Sequence, residues 1–243
     1  MIDGWRREQM IGQGAFAKVY RMRELRGNRI LACKVAETED GIKLLEREAE
    51  VLKAAEHPLF ARYVDFVRER DSAMLLMEYV EGEDLAALLE RGGAMPQEQA
   101  VRIAVELAEG LMYLHERPCP MLYRDLKPEN IRIQPDGRAR LLDLGCVCSV
   151  DEAGCSRAGS RGYAAPEQLR GDDCGRKAMV QGPYSDVYTL GRLLHYMLTG
   201  QNPCLPPFRK HPIRAYDPTL SPLLERLIEQ CTAEEPADRL PDM

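Results

Sequence analysis

Over the first eighty or so residues the apolar positions come in short, β-rich runs. Val19-Tyr20 and Ile30 to Val35 are two of them, separated by a turn at Gly27-Asn28, and Leu75-Leu76-Met77 is a further strand. One helix interrupts these runs, from Gly41 to Ala55, with Leu44, Leu45, Val51 and Leu52 on its buried side. Then the period changes. From Pro96 to His115, Ala100, Ala104, Leu107, Ala108, Leu111 and Leu114 recur on one helical face. Ser185 to Leu198 repeats the pattern through Val187, Leu190, Leu194 and Met197, with Ser185 as expected N-cap and Gly200 as its end. A third helix is expected from Pro222 to Cys231, capped by Ser221. The pattern predicts an α+β protein: a small β-rich lobe with one helix, residues 1–80, then a larger, mainly helical lobe, residues 81–243. The junction is expected near Glu81-Gly82-Glu83. No internal repeat or low-complexity tract is visible.

Composition narrows the class. The 243 residues suffice for one large domain or two small ones sharing a cleft. Apolar residues make up 45%, enough for a packed core, and charged residues 30%, which favours a soluble protein. No apolar run reaches the roughly 18 residues that a membrane span needs, and Met1 to Gln9 lacks the apolar stretch of a secretory signal. The net charge of -6 argues against a general nucleic-acid binder. Eight cysteines stand at 33, 119, 146, 148, 155, 174, 204 and 231, with no Cys-x-x-Cys pair and no His at zinc-ligand spacing. Reduced thiols and a cytoplasmic location are expected. Cys146, Cys148 and Cys155 crowd one segment and read as loop thiols, with a redox or metal role as the alternative. His57, His115, His195 and His211 are scattered and read as structural.

The densest chemistry lies in Tyr123-Arg124-Asp125-Leu126-Lys127-Pro128-Glu129-Asn130. Asp125 can accept a hydroxyl proton, Lys127 can neutralise phosphoryl oxygens, and Asn130 offers an oxygen ligand to Mg²⁺. In Gly12-Gln13-Gly14-Ala15-Phe16-Ala17-Lys18-Val19, glycines would let backbone N–H groups approach phosphate oxygens; a plain β-hairpin turn is the alternative. Lys34 lies inside the apolar strand Ala32-Cys33-Lys34-Val35, where a buried ammonium needs a partner. Glu48 stands three or four residues from Leu44, Leu45, Val51 and Leu52, so it points inward with them and is the expected partner. Glu46 and Glu50 point to solvent. Asp143 follows a hairpin that runs through Ile131-Arg132-Ile133, turns at Pro135-Asp136-Gly137 and returns at Leu141-Leu142. That turn is expected to bring Asp143 back beside Asn130, giving two oxygen ligands for Mg²⁺.

These motifs stand in the order of the eukaryotic-type protein-kinase family, which the chain resembles from about residue 5 to residue 240, most nearly its bacterial serine/threonine members. Asp125-Leu126-Lys127-Pro128-Glu129-Asn130 resembles the serine/threonine catalytic loop, with Tyr123 where His is commoner. The glycine-rich loop has Ala17 in place of its third glycine. Asp143-Leu144-Gly145 resembles the Asp-Phe-Gly motif. The resemblance implies a bilobal kinase-like fold, ATP and Mg²⁺ as cofactors, and protein Ser/Thr hydroxyls as substrates. It implies that Lys34 and Glu48 hold the α- and β-phosphates. Met77 would guard the adenine pocket, Glu78, Tyr79 and Val80 would form the hinge, Val19 and Ala32 the apolar walls, and Asp84 a ribose contact. Ala165-Pro166-Glu167 would pair through Glu167 with Arg239, and Asp186 would anchor the catalytic-loop backbone.

Regulation follows from the same resemblance. Arg124 would bind a phosphate on the segment from Asp143 to Glu167. Ser160 would bridge Asp125 and Lys127, and Ser156 would carry the activating phosphate. Arg132 departs from the family: alternation puts it on the side of Asn130, where kinases place an apolar residue under adenine. Its stem is expected to cover the base while its head reaches solvent or an acid such as Asp84, or stacks on the purine. Weaker ATP binding or an altered nucleotide preference would follow. The stretch from Glu167 to Asp186 holds a polar insertion, expected as a solvated loop or a docking element. Related kinases continue after the position of Arg239, which leaves a longer protein, with a membrane anchor beyond Met243, open. Two alternatives remain. A pseudokinase or nucleotide-binding scaffold has Ala17, Tyr123 and Arg132 for it and Lys34, Asp125, Asn130 and Asp143 against it. A small-molecule kinase is opposed by Lys127 and Ala165-Pro166-Glu167.

Overall fold

The computed structural model describes residues 4–153, 159–169, 180–206 and 210–243. They divide into two compact units, residues 1–81 with 140–145, and residues 82–139 with 146–243.

The first unit is built on a five-stranded antiparallel sheet in the order β1-β2-β3-β5-β4, made of β1 (Trp5–Gln13), β2 (Lys18–Glu24), β3 (Ile30–Ala36), β4 (Tyr63–Arg68) and β5 (Ala73–Glu78). Alternation sorts its side chains. Met22, Leu31, Cys33, Val35, Met74 and Leu76 form one core cluster, so Ala32 and Lys34 point to the opposite face. Helix α1 (Glu39–Ala54) begins two residues earlier than expected because Thr38 caps it: its hydroxyl accepts from Gly41 N at 3.2 Å. Glu39 and Asp40 in the first turn and Lys53 in the last suit the helix dipole. The buried stripe is Ile42, Leu45, Glu48, Ala49, Val51 and Leu52; Leu44 is only half-buried.

In the second unit β6 (Glu83–Asp84) leads into α2 (Leu85–Gly92) and then α3 (Gln97–His115). β6 pairs with β8 (Ile131–Ile133), setting Asp84 opposite Arg132, and β9 (Ala139–Leu141) follows along the chain. The intervening turn is closed by Gln134 N donating to Arg138 O, with Gly137 at φ 86. β7 (Met121–Leu122) pairs with β10 (Cys148–Ser149), which enters the short α4 (Val150–Ala153); α5 (Pro166–Leu169) follows. The core is carried by α3 packed on α6 (Pro183–Thr199), with α7 (Pro222–Cys231) against α6. Helix α6 starts earlier than expected. Ser185 is its third helical residue rather than its cap, and its hydroxyl accepts from Gly182 N at 3.2 Å. Pro183 takes the first turn, where no amide is needed. Gly191 lets α7 come close: a Cβ there would stand 2.7 Å from that of Cys231. Gly200 ends α6 at φ 67, a left-handed position that glycine occupies without strain. Ser221 precedes α7 as expected, without a side-chain cap bond.

Candidate active site

In the first unit, β3 and α1 bring Lys34 and Glu48 together. The Lys34 Nζ donates to Glu48 Oε2 at 2.7 Å and Oε1 at 3.0 Å, and Asp143 Oδ1 stands 3.2 Å away. Lys34 and Glu48 are 14% and 4% exposed, while Asp143 is 45% exposed. Burial alone would lower the pKa of the Lys34 ammonium, but Glu48 and Asp143 outweigh it and hold it above the ordinary value. Burial pushes the Glu48 carboxyl up, and Lys34 pulls it back. The backbone of the following residues is tied to the same carboxylates: Leu144 N donates to Glu48 Oε1 at 3.4 Å and Gly145 N to Asp143 Oδ1 at 2.8 Å.

The other first-unit residues lie where strand pairing puts them. Ala32 and Met77 are directly opposed across β3 and β5, and both are buried. Gly12 faces Val19 across the β1–β2 hairpin, and Gly14 N donates to Ala17 O at 2.9 Å. Neither Gly12, Gly14 nor Ala17 has a positive φ, so alanine at 17 carries no backbone strain. Val80 is buried, and Glu78 is held by Arg140 at 2.8 Å and by the amide of Arg62 at 3.1 Å. Burial alone would raise the Glu78 carboxyl, but these donors keep it below the ordinary carboxylate range.

The second unit assembles the side chains of the Tyr123–Asn130 stretch. A 3₁₀ turn over Pro128–Asn130 follows Lys127. Lys127 Nζ stands 2.9 Å from Asp125 Oδ2, and the Asn130 amide donates to Asp125 O at 2.9 Å. With its nitrogen committed, the Asn130 side-chain oxygen remains an acceptor. Ser160 closes the group: its hydroxyl donates to Asp125 Oδ1 at 2.7 Å and accepts from Lys127 Nζ at 2.9 Å. Burial lowers the Lys127 pKa, but Asp125 reverses the effect and leaves it raised.

Beneath this group, Asp186 at the start of α6 accepts from Tyr123 N and Arg124 N, both at 2.8 Å. Arg124 has φ 69, the one positive value among described non-glycine residues. Its Nε donates to Cys146 O at 2.8 Å, and its own carbonyl accepts from Gln168 Nε2 at 2.9 Å. Glu167 and Arg239 form a bidentate pair at 2.6 and 3.0 Å, with neither side chain exposed. Arg132 turns its head to Asp84, donating to Oδ1 from Nη2 at 2.6 Å and from Nε at 3.1 Å. Ser156, together with most of the insertion after Glu167, lies outside the described residues.

Gln168 escaped the sequence reading: it is a buried polar side chain whose partner, the Arg124 carbonyl, lies 44 residues away along the chain. Lys34, Glu48 and Asp143 meet in the first unit; Asp125, Lys127, Asn130 and Ser160 meet in the second. Among the described residues no three His, Cys, Asp or Glu side chains could hold a metal by themselves. Asp143 in the first unit offers a carboxylate oxygen and Asn130 in the second a carboxamide oxygen, each of the kind that Mg²⁺ takes alongside phosphate and water.

The protein kinase domain family matches residues 5–241. The chain is 30% identical to serine/threonine-protein kinase pkn3 of Myxococcus xanthus, and 32% identical to pkn2 of the same organism. It is 30% identical to mitogen-activated protein kinase kinase kinase 3 of Arabidopsis thaliana. Each match covers 97% of this chain. It covers 47% of pkn3, 31% of pkn2 and 39% of the Arabidopsis protein, so the chain spans less than half the length of these relatives. The chain belongs to the protein kinase domain family.

Proposed function

We propose that the chain is an active serine/threonine protein kinase that transfers the γ-phosphoryl group of ATP to protein Ser or Thr hydroxyls in the cytoplasm. The observation that carries this reading is the hydroxyl of Ser160, which donates to Asp125 Oδ1 while its own oxygen accepts from Lys127 Nζ. Asp125 thus accepts an O–H bond of the kind a substrate would present, beside a cation suited to phosphoryl oxygens. Asp125 takes the hydroxyl proton and orients the attacking oxygen. Lys127 balances charge on the transferred group, and Lys34, fixed by Glu48, binds the α- and β-phosphates. Asn130 and Asp143 would hold Mg²⁺, which when bound neutralises phosphate charge. Met77, Val80, Val19 and Ala32 supply apolar contacts for adenine, and Gly12, Gly14 and Ala17 supply backbone amides for phosphate. The same reading includes autophosphorylation at Ser156, with Arg124 as its cationic partner.

The test is transfer of labelled phosphate from ATP to a generic protein substrate, comparing the chain with Asp125→Asn. Loss of about 10²- to 10⁴-fold is expected, the usual contribution of a positioned base. Undiminished transfer by the variant would remove Asp125 from the role. A chain that binds nucleotide without transferring phosphate would be a scaffold. Mass spectrometry of the wild-type reaction reads Ser156 directly, and an unmodified Ser156 would strike autophosphorylation there from the reading.

A further inference from the structure

The last residue of α3, His115, lies between two carboxylates. Its Nε2 is 2.9 Å from Asp186 Oδ2 and its Nδ1 is 2.8 Å from Asp242 Oδ1, with the ring 1% exposed. A neutral imidazole has one N–H and can donate to one carboxylate only; two acceptors at these distances call for a proton on both nitrogens. Burial alone opposes that charge, but Asp186 and Asp242 outweigh it and raise the His115 pKa above its ordinary value. Among the described residues these are the charged groups facing the ring, one from α6 and one from the segment after Arg239; β7, packed on α3, presents Met121 and Leu122.

Asp186 has a second task. It is fully buried and accepts the amides of Tyr123 and Arg124. The left-handed backbone of Arg124 is unfavourable for a non-glycine residue, and it immediately precedes Asp125. The strained turn that presents the base is therefore held by a buried carboxylate whose charge needs a counter-ion. His115 is that counter-ion, and Asp242 is what keeps it charged.

We propose that Asp242 is a positioning residue for Asp125, acting through His115 and Asp186 on the Tyr123–Arg124 backbone. The proposal rests on the phosphotransfer reading above. Asp242→Asn keeps an acceptor for Nδ1 but removes the charge; Asp242→Glu keeps the charge. The raised pKa means that the anchoring form is fully present at low pH and is lost as pH rises through that value. In the full chain, Asp242→Asn should lower kcat about fivefold, the difference between a charge-assisted and a neutral hydrogen bond, and leave the nucleotide KM unchanged. Its kcat should also decline at lower pH than that of wild type, and Asp242→Glu should restore both. A purely structural contact would move the melting temperature but not the pH profile. Two readouts do not depend on turnover: the His115 ring should titrate at lower pH in Asp242→Asn, and the amides of Tyr123 and Arg124 should exchange hydrogen faster. If wild type transfers no phosphate, the kinase reading falls, and these two measurements still decide whether Asp242 fixes the loop. Identical ring titration and identical amide exchange in wild type and Asp242→Asn would overturn the proposal.

Discussion

Two buried ion pairs, one in each unit, look alike and do different work. In the second unit the Arg239 guanidinium meets both oxygens of Glu167, and its remaining N–H groups go to Ala233 O at 2.7 Å, Glu234 O at 2.8 Å and Tyr184 O at 3.3 Å. Glu167 also accepts the Ser185 hydroxyl at 2.8 Å. The charges balance, every Arg239 donor is spent, and neither side chain reaches water. In the first unit Lys34 meets two carboxylates, Glu48 and Asp143, and Asp143 is the better exposed of the two acids. A closed and neutral pair can only hold elements together. A group in which one carboxylate reaches water can also take up a cation, and its ammonium can trade a carboxylate for a phosphate.

That contrast predicts opposite signatures for mutations of similar size. Arg239→Met strands the Glu167 carboxylate in the core and should cost about 3–5 kcal/mol of stability, read as a shift in urea unfolding. Glu48→Gln leaves Lys34 its contact with Asp143 and with solvent. It should cost only about 1–2 kcal/mol, yet reduce phosphate transfer by about 10²-fold or more, as expected when a group that positions phosphate charge is lost. If Glu48→Gln proved as destabilising as Arg239→Met, or left transfer intact, the distinction between the two pairs would collapse.

How far the sequence was legible follows the same line. The catalytic loop is contiguous, so its residue types could be read directly. Lys34 and Glu48 were found because strand alternation and helix spacing each exposed a charge on an apolar face. Strand β4 was missed because its pairing shifts register between Tyr63 and Asp65, which breaks the alternation. Helix α2 was missed because it is short and because Asp84, its N-cap, makes no capping bond; that carboxylate is taken by Arg132. Ser185 looked like a cap because serine suits that place, but Gly182 and Pro183 start the helix first. The part played by His115 could not be read at all. Its partners lie 71 and 127 residues away, and only the packed helices bring them to the ring.

The Asp84–Arg132 pair is the intermediate case and the smallest expected effect. Like Glu167–Arg239 it joins a guanidinium to a carboxylate through two nitrogens. Like Lys34–Glu48 it is open: Arg132 is 16% exposed and Asp84 44%. A partly solvated pair of this kind contributes about 1 kcal/mol at most, so Arg132→Leu should barely move the unfolding midpoint. Its effect should fall on nucleotide binding. Arg132 lies on β8 opposite Asp84, and its head occupies the acid that the kinase resemblance assigns to ribose. Leucine would both offer an apolar surface and release Asp84. We therefore expect Arg132→Leu to bind ATP about fivefold more tightly, roughly the gain from one added apolar contact, measured by calorimetric titration with Mg²⁺ present. Unchanged affinity would class the pair with Glu167–Arg239 as architecture. Weaker binding would mean that the guanidinium itself meets the nucleotide, which would place Arg132 beside Lys34 among the groups that act on it.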